Sequence, residues 1–114
     1  TGLGDFVTNV NLPNYGQISN LPMGAVVETN AVFSRNSVRP VHAGSLPDDV
    51  HSLVYRHVVN QETTLKAALK KDKELAFRAF ANDPLMTANI NDAWQLFNEM
   101  LRATKAYLPG WNIE

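Results

Sequence analysis

The sequence contains no cysteine. Within these 114 residues it therefore forms no disulfide, holds no metal through thiolates and offers no thiol nucleophile. It has no apolar run of about 18 residues, so no transmembrane helix is predicted, and no signal peptide is visible. Neither a Gly-x-Gly-x-x-Gly motif nor a P-loop occurs, so the sequence carries no phosphate-binding loop.

The chain also lacks an excess of charge of either sign. Ten basic and eleven acidic residues give a net charge of −1, which provides no electrostatic reason to expect nucleic acid or an anionic membrane as a partner. Hydrophobic residues make up 45% of the chain, enough for the core of one domain. The first residue is threonine, so we expect the natural start to lie upstream, and the composition fits a cytoplasmic protein.

Two parts of the chain differ in pattern. Residues 1–44 are rich in Gly and Pro and contain three runs typical of strands, Phe6–Val10, Ala25–Phe33 and Val38–Val41. Asn and Ser favour turns, so Ser34–Ser37 is predicted to connect the last two runs as a hairpin. Residues 45–114 show helical periodicity instead. The predicted fold class is therefore α+β, a short β-rich part followed by about three packed helices.

Start and stop signals define the three helices. The first is predicted from Pro47 to Lys71, with Ser45 or Leu46 as its cap. The second spans Lys73–Ala81 after Asp72, and the third starts after Asn89 and is ended by Pro109-Gly110. The side chains expected to be buried lie at helical spacing: Val50, Leu53, Val54, His57, Val58, Leu65, Ala68 and Leu69, then Leu75, Ala76, Ala79 and Phe80, then Trp94, Phe97, Leu101, Thr104 and Leu108.

The asparagine-rich loop Asn11–Pro22 is the best local candidate for a binding site. Pro fixes φ, whereas Gly16 and the asparagines tolerate positive φ, so a purely structural turn is the commoner explanation. Loops of this composition also contact polar ligands, and amide side chains suit sugar hydroxyls. Tyr15 would either stack on a sugar or plug the turn. Glu28, just beyond the loop, would either bind a ligand or pair with Arg35 or Arg39.

The remaining titratable residues do not suggest a catalytic centre. His51 and His57 lie six residues apart, about 240° around a helix, so they cannot chelate one ion from one face. His57 falls on the apolar stripe and is predicted to be a satisfied core histidine. The acidic residues at 48, 49, 72 and 74 lie at helix starts, where they complement the helix dipole. No catalytic or metal-binding residue is therefore predicted in this chain.

Several motifs together resemble one enzyme family. The order Pro13-Asn-x-Gly-x-Ile-x-Asn-Leu-Pro22, followed by Val26-Val-Glu28, is similar to the carboxy-terminal part of glycoside hydrolase family 4. Further similarities follow in the same order, so that the resemblance runs from about Val10 to Trp111: Gly44-Ser-Leu-Pro47, Ala67-Ala68 with Asp72, Asp83-Pro-Leu85 and Tyr107-Leu-Pro-Gly-Trp111. The α-galactosidase and α-galacturonidase branch looks most similar, and Glu28–Phe33 favours the galacturonidase side.

This resemblance implies a glycosidase that uses NAD and a divalent metal, typically manganese. In the family, the sugar is oxidised at C3, a tyrosine removes the C2 proton, the aglycone is eliminated, and water addition and reduction complete hydrolysis. The metal ligands (a Cys and a His), that tyrosine and the nucleotide loop belong to the preceding part of the enzyme, which includes the NAD-binding Rossmann domain. Their absence here implies that this fragment alone is inactive and binds neither NAD nor Mn²⁺.

For this chain the resemblance implies a C-terminal domain like that of lactate and malate dehydrogenases, with residues 1–44 as its β and loop part and 45–114 as its helical part. The matched positions are predicted to line the sugar pocket near the nicotinamide: Asn14, Gly16, Ile18 and Asn20. The helical part would pack on the Rossmann domain and help form a homo-oligomer. Arg35 or Arg39 would bind a uronate carboxylate. The alternative is a non-enzymatic helical module that binds a partner protein.

Overall fold

The computed structural model describes residues 4–114. They belong to two compact units, the first ending at Ser52 and the second comprising Leu53–Glu114. The strands are β1 (Phe6–Pro13), β2 (Val26–Ser34) and β3 (Ser37–Pro40), and the helices are α1 (Asp48–Lys70), α2 (Lys73–Ala81) and α3 (Ile90–Ala103), followed by a 3₁₀ turn at Lys105–Tyr107. The predicted α+β class with three helices is confirmed.

The three strands form an antiparallel sheet in the order β1-β2-β3. The predicted hairpin is confirmed, because Ser34 pairs with Ser37 and their hydroxyl oxygens lie 2.7 Å apart. β1 continues to Pro13, beyond the predicted end at Val10, and pairs along its length with β2. Pairing with a valine-rich neighbour outweighs the weak strand propensity of asparagine, and Pro13 is tolerated at the end of an edge strand.

The sheet of the first unit buries one face. Along β2, Val27, Thr29 and Ala31 are buried, and the side chains between them point to the opposite, exposed face. Leu21 and Ala25 are buried as well. The exposed face of β2 therefore carries Glu28 and Asn30.

The second unit has its core between α2 and α3. Phe97, Leu101 and Ile113 form a buried cluster, with Phe77 and Phe80 packed against it. The ring centroids of Phe80 and Phe97 lie 5.4 Å apart, a distance typical of favourable aromatic pairs. Phe80 and Phe97 therefore belong to the core, as their helical spacing predicts.

The predicted caps of α2 and α3 are confirmed. The Asp72 carboxylate accepts a hydrogen bond from the Leu75 backbone N–H at 2.9 Å. The Asn89 side chain accepts from the backbone N–H of Asn91 and of Asp92, and its own amide donates to the Asp92 carboxylate at 2.6 Å. Each helix thus begins where a side chain satisfies its free N–H groups.

The start of α1 differs from the prediction. The His51 N–H donates to the Pro47 carbonyl at 2.7 Å, so Pro47 rather than Ser45 or Leu46 occupies the cap position. The backbone of Leu46 cannot join the helix, because its N–H and its carbonyl are both paired with the side chain of Asn20. A contact between residues distant in sequence therefore places the start of α1 at Asp48.

The predicted buried stripe of α1 is wrong for this chain. Ala67 is the buried residue of the helix, whereas Leu53, Leu65 and Leu69 are 62%, 53% and 77% exposed. His57 is exposed too, so it is not a core histidine. On α3, Trp94 and Thr104 are also exposed, contrary to the prediction. Periodicity identifies which face of a helix is apolar, but does not reveal whether other residues cover it.

Candidate functional site

Asn14 lies at the centre of the asparagine-rich loop and is completely buried. Its Nδ2 donates to the carbonyls of Ile18 at 2.9 Å and Leu21 at 3.0 Å, and lies 3.2 Å from the Pro22 carbonyl. Its Oδ1 accepts from the backbone N–H of Gly16 and of Ile18, at 3.2 and 3.1 Å. The amide therefore uses both its donors and its acceptor inside the loop and holds the turn together.

A second buried amide, Gln17, supports the same turn. Its Nε2 donates to the Pro13 carbonyl at 2.8 Å, and its Oε1 accepts from the Tyr15 N–H. Gly16 has φ of 111°, a conformation that side chains rarely adopt. Tyr15 itself is 72% exposed, so of the two roles considered for it, plugging the turn is excluded. Sequence reasoning missed Gln17, since nothing in the local pattern distinguishes a buried amide from an exposed one.

The loop pairs with a segment that lies 26 residues further along the chain. Ile18 and Gly44 form a parallel bridge, in which the Ala43 N–H donates to the Gln17 carbonyl at 2.7 Å and the Ser19 N–H to the Gly44 carbonyl at 2.9 Å. The hydroxyl oxygens of Ser19 and Ser45 lie 2.7 Å apart. Two motifs of the sequence, the asparagine-rich loop and Gly44–Pro47, are thus joined in one structure.

Asn20 fastens the end of this pairing. Its Nδ2 donates to the Leu46 carbonyl and its Oδ1 accepts from the Leu46 N–H, both at 2.9 Å. The Asn20 carbonyl also lies 2.8 Å from Nε2 of His51. The side chain thus connects the loop to the residues that precede α1.

Two histidines hold carbonyl groups of the loop. His51 contacts the Asn20 carbonyl, and Nδ1 of His42 lies 2.9 Å from the Gly16 carbonyl. A carbonyl oxygen only accepts hydrogen bonds, so in each ring the contacting nitrogen carries the proton. The sequence carries no local signal for these two contacts.

A cavity of about 430 Å³ lies within the first unit. We call it the β2 pocket; its polar lining residues are Asn9, Glu28, Thr29, Asn30, His42 and Ser45. Of the four predicted site positions, Ile18 lines the β2 pocket. The Thr29 hydroxyl is buried without a hydrogen-bond partner in the structure.

Glu28 does not form either of the ion pairs considered for it. It lies opposite Asn11 in the β1–β2 register, whereas Arg39 lies opposite Val32, closer to the hairpin turn. Arg39 instead approaches the Asp5 carboxylate at 3.9 Å, and both of these side chains are exposed. The Glu28 carboxylate is therefore without an ion-pair partner within residues 4–114.

A larger cavity, of about 750 Å³, belongs to the second unit. Its lining is mainly apolar, with Leu65, Phe80 and Phe97 among its residues, and its polar lining residues include His57 and Asn60. Asn60 Oδ1 accepts from the Asn82 amide at 2.7 Å, while its own Nδ2 is buried without a partner. This larger cavity presents mainly apolar surface, and its lining residues include no cluster of charged groups.

The described part of the chain offers no metal centre. No group of three or more His, Cys, Asp or Glu side chains in residues 4–114 is placed to hold a metal ion. No helix in the same range is long and apolar enough to cross a membrane.

Comparison with known proteins identifies relatives over most of the chain. Residues 2–86 match the Family 4 glycosyl hydrolase C-terminal domain. The chain is 66% identical, over 99% of its length, to an α-galacturonidase of Thermoanaerobacterium saccharolyticum, of which it spans 24%. It is 32% identical, over 91% of its length, to an α-galactosidase of Bacillus subtilis, again spanning 24% of that protein.

Among solved structures, one of the 6-phospho-β-glucosidase of Thermotoga maritima, with manganese, NAD⁺ and glucose-6-phosphate, superimposes with a TM-score of 0.82. The two proteins share 29% identity, and the match covers 91% of this chain and 26% of that one. The chain thus spans about a quarter of the relatives it matches.

Proposed function

The chain belongs to the C-terminal domain of glycoside hydrolase family 4 enzymes, and we propose that it is part of a protein that hydrolyses α-galacturonides. The observation that carries this proposal is the difference in identity, 66% to an α-galacturonidase against 32% to an α-galactosidase. A hydrolase family also argues against the alternative of a non-enzymatic interaction module.

We further propose that the complete enzyme uses NAD and Mn²⁺, supported by the Thermotoga maritima relative that contains both. The residues described here do not fit either group, since they include no metal-ligating cluster and the sequence has no glycine-rich nucleotide loop. Both groups therefore belong to the part of the enzyme outside this chain, which we expect to contain a Rossmann domain. The steps of oxidation, elimination, addition and reduction are assigned to that part.

This chain is proposed to contribute one wall of the sugar pocket through Asn14, Gly16, Ile18 and Asn20. The contacts suggest how the work is divided among them. Asn14 and Gly16 set the conformation of the turn, Ile18 provides surface facing the β2 pocket, and Asn20 attaches the loop to Leu46. A rigid wall places substrate groups accurately at low entropic cost, which favours reaction.

The exposed apolar face of α1 has a proposed role in assembly. Leu65 and Leu69 lie about one turn apart on α1, both are more than half exposed, and exposed apolar surface of this kind usually marks an interface. We propose that the helical part, residues 45–114, packs on the Rossmann domain and contributes to a homo-oligomer, with residues 1–44 as the β and loop part of the same C-terminal domain. A uronate carboxylate would be bound by Arg35 or Arg39, both of which are exposed.

The substrate proposal is tested with the complete enzyme, supplied with NAD⁺ and Mn²⁺. We expect kcat/KM for an aryl α-galacturonide to exceed that for the matching α-galactoside by at least about 100-fold, because a site built to pair a carboxylate strongly rejects an uncharged analogue. Aryl 6-phospho-β-glucoside is the second comparison substrate. Equal or better hydrolysis of either comparison substrate would contradict the proposal.

A further inference from the structure

We propose that the β2 pocket binds an uncharged polyhydroxylated group, the neutral sugar next to the galacturonate in the substrate, with His42 and Glu28 as its hydrogen-bond acceptors. The inference rests on the proposed function for the identity of the whole substrate. The chemistry of the pocket itself comes from its lining residues. At about 430 Å³ the pocket falls in the range of small-molecule sites.

His42 is oriented as a ligand-binding histidine is. Its Nδ1 donates to the Gly16 carbonyl at 2.9 Å, which fixes the tautomer of the neutral ring and leaves Nε2 as a hydrogen-bond acceptor. His42 lines the pocket and is exposed. Nε2 has no hydrogen-bond partner within residues 4–114 and can accept from a ligand hydroxyl.

Glu28 adds the second acceptor and the charge of the pocket. It lies on the exposed face of β2, two residues before Asn30, which pairs with Asn9 of β1. The lining thus contains one carboxylate and two carboxamides, and it includes no Lys or Arg. Carboxylate and amide oxygens accept from hydroxyl groups, while the amide N–H groups donate to hydroxyl oxygens.

The charge of the pocket decides which part of a galacturonide it accepts. A uronate carboxylate requires a cation such as Arg or Lys, and beside Glu28 it would instead meet a like charge. The galacturonate ring therefore binds outside the β2 pocket. The β2 pocket is suited to the uncharged sugar on the leaving-group side of the scissile bond.

The first test compares Glu28→Gln with the wild type in the complete enzyme, on two α-galacturonides. One substrate has a neutral sugar as its leaving group and the other has a second galacturonate. We expect KM for the neutral substrate to rise about 3–10-fold, since a charge-assisted acceptor is weakened. KM for the dianionic substrate should fall, because the repulsion is removed. Glu62→Gln, on the exposed surface of α1, is the matched control and should change neither value.

A change of the same sign and size for both substrates, or no change, would overturn the proposal. The melting temperature of Glu28→Gln separates binding from folding, and we expect it to match that of the control. If the enzyme prefers galactosides, the proposed function fails, but the pocket is still tested by binding alone.

The binding test uses the complete enzyme with ¹³C-labelled histidine, in which the His42 signal is assigned from its loss in His42→Gln. Titration with galactose should move this signal along a saturable curve, and Glu28→Gln should weaken the binding several-fold. Galacturonate should bind more weakly than galactose. No saturable shift with galactose up to about 100 mM, which corresponds to negligible affinity, would overturn the proposal.

Discussion

Replacing the buried Asn14 amide by an isosteric carboxyl provides the sharpest test of how the loop is built. Asn14→Asp keeps the shape of the side chain but removes the N–H donors that face the carbonyls of Ile18, Leu21 and Pro22. In the ionised form, a carboxylate oxygen then faces carbonyl oxygens in a site with no solvent exposure. Each buried group that loses its partner costs about 1–3 kcal/mol, so we expect a loss of about 3–5 kcal/mol in the free energy of unfolding.

The pH dependence of this variant has a definite sign. Burial and the neighbouring carbonyl oxygens should raise the pKa of the introduced carboxyl in the folded state. The destabilisation relative to wild type is then largest at neutral pH and decreases as the pH falls towards the unfolded value of about 4, where a protonated carboxyl regains one donor. Asn14→Ala should be destabilised at neutral pH without this dependence.

Denaturant unfolding of the complete enzyme, followed by a probe in the β-sheet part, measures the effect. Asn11→Ala is the matched control, because Asn11 is an exposed asparagine of β1 and should change stability by less than about 0.5 kcal/mol. Stability of Asn14→Asp within that margin at pH 7 would refute this account of the loop. Reduced kcat/KM in Asn14→Ala at unchanged stability would instead show that the amide acts on the substrate.

Three further predictions follow from the same contacts. Asn20→Ala removes both hydrogen bonds to Leu46, so we expect a loss of about 1–3 kcal/mol in the free energy of unfolding together with reduced kcat/KM. The assignment of Asn20 to the substrate site fails if kcat/KM stays normal in a destabilised protein. The isolated 114-residue chain should bind neither NAD⁺ nor Mn²⁺ in isothermal titration, because its sequence has no nucleotide loop and its residues 4–114 form no metal-ligating cluster. Micromolar binding of either would contradict the proposal that both groups bind outside this chain. The same chain should self-associate in sedimentation experiments through the exposed side chains of α1. The double variant Leu65→Glu with Leu69→Glu should be monomeric. A monomeric wild type at high micromolar concentration would be evidence against the interface.

Local signals were sufficient for much of the secondary structure. Asp72 and Asn89 locate the starts of α2 and α3, because capping depends on a side chain and the backbone two or three residues later. The Ser34–Ser37 turn joins two β-rich runs for a similarly local reason. Order and spacing of motifs also led to the family. Each of these features depends on residues that are close in the chain or on the sequence pattern alone.

The candidate site was only partly predictable. The sequence singled out the asparagine-rich loop and suggested amides that face a ligand, whereas Asn14 is buried and satisfied by the backbone. The β2 pocket was not predicted, although Glu28 was noted as a possible ligand-binding residue. Whether an amide faces inward or outward depends on which segment packs against its loop, and neighbours in sequence do not report that.

The sequence by itself therefore determined the elements, the hairpin, the caps of α2 and α3, and the family, since these follow from short-range backbone preferences and motif order. Only the tertiary structure decided the pairing of the loop with residues 43–46, the start of α1 at Asp48 and the exposure of the apolar side chains of that helix. The physical reason is that the contact between Asn20 and Leu46 joins residues 26 positions apart, so no short-range backbone preference specifies it.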